Sequence, residues 1–284
     1  MQESLVTQQT SISPDFIKRT GTNKGKDYEV IFIADRILKL LKDAHIEDFY
    51  ISSNDSEFGS FDDMVLEVIY CNTTKIDTYA LQLKHKDNND FTIKDLRAKK
   101  GNFSIREYYQ DCSNHSKLLD GSVKTILFTN CPLQKKSDKF QVFLTNETAN
   151  IVPADIEIEA SKPNDLINTS SKGEWYKLNS DPKYNNFFEK FFLYTGQLNL
   201  ENLRMRCLNE FQSMFHCDES VFNDYLNFLT QWSMIEGKKE KLTKSWIKRV
   251  IALQVLSPFI KPLSFKFGSK LEQKRKILQN RNFM

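Results

Sequence analysis

An α/β fold, a mixed sheet flanked by helices and followed by an all-helical C-terminal region, follows from three observations. Short apolar runs of strand length fall at residues 49–51, 62–70, 78–84 and 123–129. A helical pattern precedes the first run and another separates the third from the fourth. From about residue 183 onward the apolar spacing is helical.

Residues 1–20 are rich in Gln, Thr and Ser without periodicity and read as a flexible tail. From Lys26 to Lys42, Tyr28, Ile31, Phe32, Ile37, Leu38 and Leu41 recur at helical spacing with charges between them, an amphipathic helix. Phe49-Tyr50-Ile51 is the first strand. The runs Asp62–Tyr70 and Thr78–Lys84, separated by Asn72-Thr73-Thr74-Lys75, form a hairpin with charged groups near one end. Thr92–Leu119 is helix-like, interrupted at Gly101-Asn102. Val123–Thr129 is β-branched and apolar, closed by Pro132, and Phe140–Leu144 adds a further strand candidate. Prolines and Asn/Ser clusters mark 151–182 as a linker or crossover. Asn185–Tyr194, Leu200–Phe215, Val221–Trp232 and Lys244–Val255 carry helical spacing, with Pro258 and Pro262 ending the last. The division is therefore a 1–20 tail, a 21–150 sheet domain, a 151–182 linker and a 183–284 helical region with a basic end at Lys270–Arg281.

The 284 residues can bury a substantial core, and 27% charged with 12% aromatic residues excludes a disordered or fibrous chain. No apolar run reaches the roughly 18 residues of a membrane helix, and the start Met1-Gln2-Glu3-Ser4 lacks a secretory pattern, so an intracellular protein is expected. Five scattered cysteines without a C-x-x-C pair predict free thiols, and four isolated histidines argue against zinc. The net charge of +3 is too small to identify a nucleic-acid binder. Local basic clusters exist, however: Lys84-His85-Lys86, then Lys94, Arg97, Lys99, Lys100 and Arg106. A solvated helix face is the plainer explanation for them.

The chemistry-bearing residues gather around the hairpin. Asp62 and Asp63 open one strand, and both are candidate metal ligands. Asp62 can instead face outward or cap the turn. On the next strand Gln82 and Lys84 leave the same face, with Leu83 pointing the other way. Mg²⁺ prefers oxygen ligands and keeps several waters, so a carboxylate, the Gln82 amide oxygen and the Leu83 carbonyl suffice to anchor it. Lys84 would stabilise charge on a phosphoryl group, and Glu29 on the first helix is a further carboxylate. Acids at a strand start and a lysine at a strand end also serve as surface charges or edge protection.

In order along the chain, Gly25-Lys26-Asp27-Tyr28-Glu29, Phe61-Asp62-Asp63, Leu81-Gln82-Leu83-Lys84-His85 and Leu127-Phe128-Thr129-Asn130 resemble the PD-(D/E)xK nuclease superfamily. More narrowly, they are similar to the double-stranded DNA endonuclease domain at the N-terminus of bacterial antiphage effectors and STAND-type NTPases. The resemblance covers residues 25–145. It implies a restriction-endonuclease-like sheet in 21–150 and a Mg²⁺-dependent endonuclease, with Mn²⁺ as an alternative metal. Glu29, Asp63, Gln82 and Lys84 would take the catalytic positions, with Asp62, Asp63, Gln82 and Glu29 toward the metal. Duplex DNA would lie on Lys86, Lys99, Lys100 and Arg106, in a defence system, joined to an NTPase or sensor module. The alternative is an inactive nuclease-like module that binds DNA or protein. A third reading makes the helical half an oligomerisation surface.

Two further motifs are set aside. Gly21–Asp27 resembles a phosphate loop but has the wrong glycine spacing and Asp27 where a hydroxyl is required. The C-terminal aromatics, Phe187 to Trp232, have helical spacing and read as core rather than as base-stacking platforms.

Overall fold

Strand β3 (Ile76–Lys84) alternates Tyr79, Leu81 and Leu83 with Ala80, Gln82 and Lys84, so the sheet built on it shows different chemistry to its two sides. The structure, a computed structural model, describes residues 21–87, 91–96, 98–119, 122–134, 160–161, 190–235 and 240–256. The Phe140–Leu144 strand candidate, the N-terminal tail, nearly all of the 151–182 linker and the basic end 270–281 lie outside them.

Helix α1 (Gly21–Lys42) leads into β1 (Ile46–Ser52), a 3-10 turn (Ser56–Phe61), β2 (Met64–Tyr70) and β3. A short β4 (Phe91–Thr92) precedes α2 (Ile93–Leu96), α3 (Ile105–Cys112) and α4 (Ser116–Leu119), and β5 (Val123–Thr129) and β6 (Leu133–Gln134) follow. Then come β7 (Ala160–Ser161), β8 (Phe191–Tyr194), α5 (Leu200–Phe215), α6 (Glu219–Ser233), β9 (Leu242–Thr243) and a helix α7 over 244–256. Among the described residues, seven strands make one mixed sheet in the order β7-β8-β5-β3-β2-β1-β9, and β4 pairs separately with β6. The expected hairpin is present, β2 and β3 running antiparallel with Met64 opposite Leu81. β3 then lies parallel to β5, placing Lys84 beside Thr129.

Tyr79, Leu81 and Leu83, with Ile126, Phe128, Phe192 and Tyr194, face a core closed by α1, α5, α6 and α7. Ala80, Leu127, Phe191 and Leu193 face the other way, onto Phe58 and Phe61 of the 3-10 turn and Tyr108, Tyr109 and Cys112 of α3. The expected mixed sheet between helical layers is what forms.

Three expectations change in detail. Asn185–Tyr194 reads as helical, yet Phe191–Tyr194 is a strand with every residue buried. An apolar run covered on both faces has no polar residue to mark its period. The helix-like stretch Thr92–Leu119 breaks into three short helices. Gly101 sits at φ +132°, and Ser104 caps α3 by accepting the Glu107 N–H at 3.2 Å, so a new helix starts there. The charges on α1 are not all solvent-facing: Asp35 and Arg36 are fully buried.

That buried pair ties α1 to the C-terminal helices. Asp35 bonds Arg36 directly, accepts the Arg206 Nε–H of α5 at 3.0 Å, and lies 3.4 Å from Lys39. Burial pushes its carboxyl up, but Arg36, Lys39 and Arg206 more than reverse this and hold it below the usual carboxylate value. The Arg36 guanidinium also lies over the Phe32 ring at 4.9 Å. All five cysteines are free thiols, as expected from their spacing. Among the described residues no helix is long and apolar enough to cross a membrane.

Asp35→Ala, which strands buried cationic groups without their carboxylate, is expected to lower stability in urea unfolding by about 3–5 kcal/mol. Lys42→Ala, at the exposed pair with Glu210, is expected to cost no more than about 1 kcal/mol.

Candidate functional site

The 3-10 turn delivers the two aspartates. Phe58 and Phe61 are buried and anchor it, Asp55 caps it by accepting the Glu57 N–H at 3.2 Å, and Asn54 N–H bonds the Asp62 carbonyl at 2.6 Å. Asp62 and Asp63 therefore emerge beside β3, Asp62 bridging to Leu81. Asp63 Oδ2 accepts the Leu83 backbone N–H at 2.7 Å and a side-chain N–H of Gln82. The structure thus brings Asp63, Gln82 and Lys84 into one place.

Electrostatics ties Glu29 and Asp62 to the same cluster. Burial and then the charge of Glu29 push the Asp63 carboxyl up to about 7, against the Leu83 hydrogen bond and the Lys84 ammonium, which favour ionisation. Asp62 is raised as well, by burial first and then by Glu29. Glu29 reaches this corner from α1, paired with Lys26 at 2.6 Å.

Gln82 and Lys84 form one wall of a cleft of about 480 Å³. The rest of the lining comes from α3 and the turns on either side of it, Gly101, Asn102, Glu107, Tyr108, Gln110, Asp111 and Asn114, with Ser60 from the 3-10 turn. Most of these groups are held. Tyr108 donates to the Asn102 carbonyl at 2.7 Å, and burial, with a smaller contribution from Asp63, keeps its hydroxyl protonated. Glu107 accepts the Gly101 N–H at 2.7 Å, and Asp111 accepts the Ser60 N–H at 2.5 Å. Gly59, at φ +53°, lies so close to Asp111 and His115 that a Cβ there would fall 2.3 Å from Asp111 Oδ2. The positive φ strains any larger residue there, and the Asp111 and His115 side chains would have to move aside for it.

The basic residues expected to hold a nucleic-acid backbone lie elsewhere. The Lys86 ammonium sits over the Phe103 ring at 5.0 Å, and its backbone N–H and carbonyl both bond the Asn130 side chain. Lys99 and Lys100 are exposed on the turn between α2 and α3, and Arg106 is half-buried at the start of α3. None of these four lines the cleft. His85 packs on Tyr28, ring centroids 4.9 Å apart. The α3 wall was missed in the sequence, although two signals for it were present. Ser104-Ile105-Arg106-Glu107 is a capping-box pattern, and Glu107 and Asp111 are one helical turn apart on one face.

No family model matches the chain, and no curated protein matches it. Its similar solved structures include an Acinetobacter baumannii Cap4 SAVED/CARF-domain containing receptor with the cyclic trinucleotide 2'3'3'-cAAA, at TM-score 0.44 and 12% identity over 85% of this chain and 46% of that one. A second structure of the Acinetobacter baumannii Cap4 receptor has TM-score 0.44 and 12% identity over 84% and 48%. A Moraxella osloensis Cap4 SAVED/CARF-domain containing receptor has TM-score 0.40 and 10% identity over 82% and 47%. The chain thus spans about half the length of each.

These findings correct the reading of the motifs. The similar solved structures are described as SAVED/CARF-domain containing receptors, and none of them as a nuclease. The resemblance to the PD-(D/E)xK superfamily is overturned. With it fall the endonuclease acting on duplex DNA and the alternative of an inactive nuclease-like module. Packing accounts for much of what the motifs showed: Phe61, Leu81, Leu83, Tyr28, Leu127 and Phe128 are core residues of the sheet and its layers.

The raised Asp63 carboxyl has a definite pH signature. An acid whose folded-state value lies above its ordinary 3.8 binds its proton more tightly in the folded state, so its contribution is complete below about pH 4 and is lost as pH rises through about 7. Asp63→Asn removes that loss. Urea midpoints are expected to shift in the variant's favour between pH 5 and pH 8, by a few kcal/mol at most, at about 1.4 kcal/mol per unit. A wild-type-to-variant difference independent of pH would show that Asp63 ionises normally.

Proposed function

We propose that the cleft recognises a small phosphate-bearing ligand of the nucleotide class, bound together with a divalent cation on the Asp63 side. The observation that carries this is Lys84 and Gln82 lining a polar cleft together with the amides of Asn102, Gln110 and Asn114, with Asp63 bonded to the Gln82 side chain behind that lining. Lys84 offers a mobile point charge to a phosphate. Asn102, Gln110 and Asn114 each offer donors and an acceptor, which suits base edges and sugar hydroxyls. The volume of about 480 Å³ lies within the ordinary range for small-molecule sites.

The donors suit Mg²⁺ or Mn²⁺ to a limited degree. Among the described residues no three His, Cys, Asp or Glu side chains form a ready cage. Mg²⁺ needs none, since one or two carboxylates and several waters hold it beside a phosphate. Burial lifts the Asp63 carboxyl first and the charge of Glu29 second, and a cation would offset both. Asp63 and Glu29, with Asp62 and the Gln82 amide oxygen alongside, would hold the ion, and its contribution would be to neutralise phosphate charge. The chain's own residues orient the ligand: Lys84 at the phosphate, and the amides of Asn102, Gln110 and Asn114 at the rest. The receptor likeness places no ligand here, and a cyclic trinucleotide enters only as one probe.

Calorimetric titration with inorganic phosphate, a mononucleotide and a cyclic trinucleotide, each with Mg²⁺, tests this. At least one nucleotide is expected to bind, with affinity falling tenfold or more in Lys84→Ala, the scale of a lost charged hydrogen bond. Wild-type affinity in both Lys84→Ala and Asn114→Ala would overturn the reading. Mg²⁺ alone, at about 100 times its dissociation constant, is expected to raise the wild-type melting temperature by roughly 5–10 °C and to leave Asp63→Asn unmoved.

A further inference from the structure

Resting on the nucleotide reading above, we propose that Glu107 selects the base, so that the cleft favours guanine over adenine. Lys84 lines the cleft from β3, while Glu107 and Asp111 line it from α3. On that helix Glu107, Gln110 and Asp111 stand at i, i+3 and i+4 and share one face. A phosphate is drawn to the ammonium and repelled by the two carboxylates. A nucleotide therefore enters with its phosphate toward β3 and its base toward α3.

The two acids are not equivalent. Asp111 is engaged through both oxygens: Oδ2 accepts the Ser60 N–H at 2.5 Å, and Oδ1 lies 3.6 Å from His115 Nε2. Glu107 gives one oxygen, Oε2, to the Gly101 N–H at 2.7 Å, and its own backbone N–H donates to Ser104 Oγ at 3.2 Å. Its side chain is thus held in place with Oε1 still to be used. A carboxylate accepts at about four lone-pair sites and donates at none. Glu107 accordingly suits a base edge that presents two adjacent donors, which guanine does with its ring N1–H and exocyclic amine. Adenine and cytosine set a bare ring nitrogen beside their amine, and its lone pair would face the carboxylate. Hypoxanthine keeps the ring N–H and lacks the amine. A site built to accept an N–H discriminates against an analogue without it, because its own polar group is then left unpaired.

Calorimetric titration of wild type and Glu107→Gln with the monophosphates of guanosine, inosine and adenosine tests this. Glutamine keeps an oxygen for the Gly101 N–H and replaces the other acceptor with a donor, a pairing that suits adenine. Wild type is expected to bind the guanine nucleotide at least about tenfold tighter than the other two, the scale of a hydrogen bond to a charged group. In Glu107→Gln the adenine nucleotide should bind as tightly as the guanine one or tighter. The wild-type comparison uses no variant and stands even should Glu107→Gln fail to fold. Equal wild-type affinities for guanine and adenine nucleotides, still weakened by Lys84→Ala, would overturn the base selection and leave the nucleotide reading in place. An undiminished guanine preference in folded Glu107→Gln would overturn the role of Glu107. No binding of any of the three would overturn the inference, and a null result with inorganic phosphate and the cyclic trinucleotide as well would overturn the nucleotide reading with it.

Discussion

Everything in this molecule depends on β3 being covered on both sides. A central strand paired with β2 on one edge and β5 on the other has no free backbone groups to offer water. Its side chains must then satisfy two layers at once. Tyr79, Leu81 and Leu83 do so with apolar surface toward α1 and the C-terminal helices. The other register, Ala80, Gln82 and Lys84, begins apolar and ends polar, so that layer is closed over Ala80 and open over Gln82 and Lys84. The cleft is where the second layer stops being a core.

The first layer contains an expensive feature. Burying Asp35 and Arg36 takes two charges out of water, a loss that their mutual attraction recovers only with good geometry and further hydrogen bonds. Arg206 and Lys39 supply the additional partners, and the Phe32 ring lies under the guanidinium. Apolar side chains of similar size would fill that space as well. What the charges add is register: α1 can meet α5 in few other alignments without leaving a charge unpaired. Since α1 also carries Glu29, the same alignment positions an acid of the candidate site.

At that site, charge is balanced within the protein rather than by solvent. Asp63 is held by backbone and amide donors that favour its ionised form, yet burial and Glu29 outweigh them and raise its carboxyl above the ordinary value. The facing wall is stiffer. Capping at Ser104, the Tyr108 hydroxyl and the close seat of Gly59 on Asp111 and His115 hold α3 and the 3-10 turn as one unit.

The sequence alone determined the elements whose period is unambiguous: α1, the β2–β3 hairpin, β5, and helices α5 and α6, because alternation and 3.6-residue spacing are local properties of the chain. It also placed Gln82 and Lys84 on one face and Asp63 near them, since strand parity and a short hairpin leave little choice. Tertiary structure alone decided the rest. Phe191–Tyr194 became a strand because two layers cover it, and a run buried on both faces has no polar partner to reveal its period. Asp35 and Arg36 went inward because Arg206, far along the chain, was there to meet them. The cleft wall from α3 and its flanking turns, set against Gln82 and Lys84 of β3, is a juxtaposition of residues from different elements. Function read from short motifs failed for the same reason: acids, a glutamine and a lysine at given spacings specify a neighbourhood, while what that neighbourhood does is set by the surfaces brought against it.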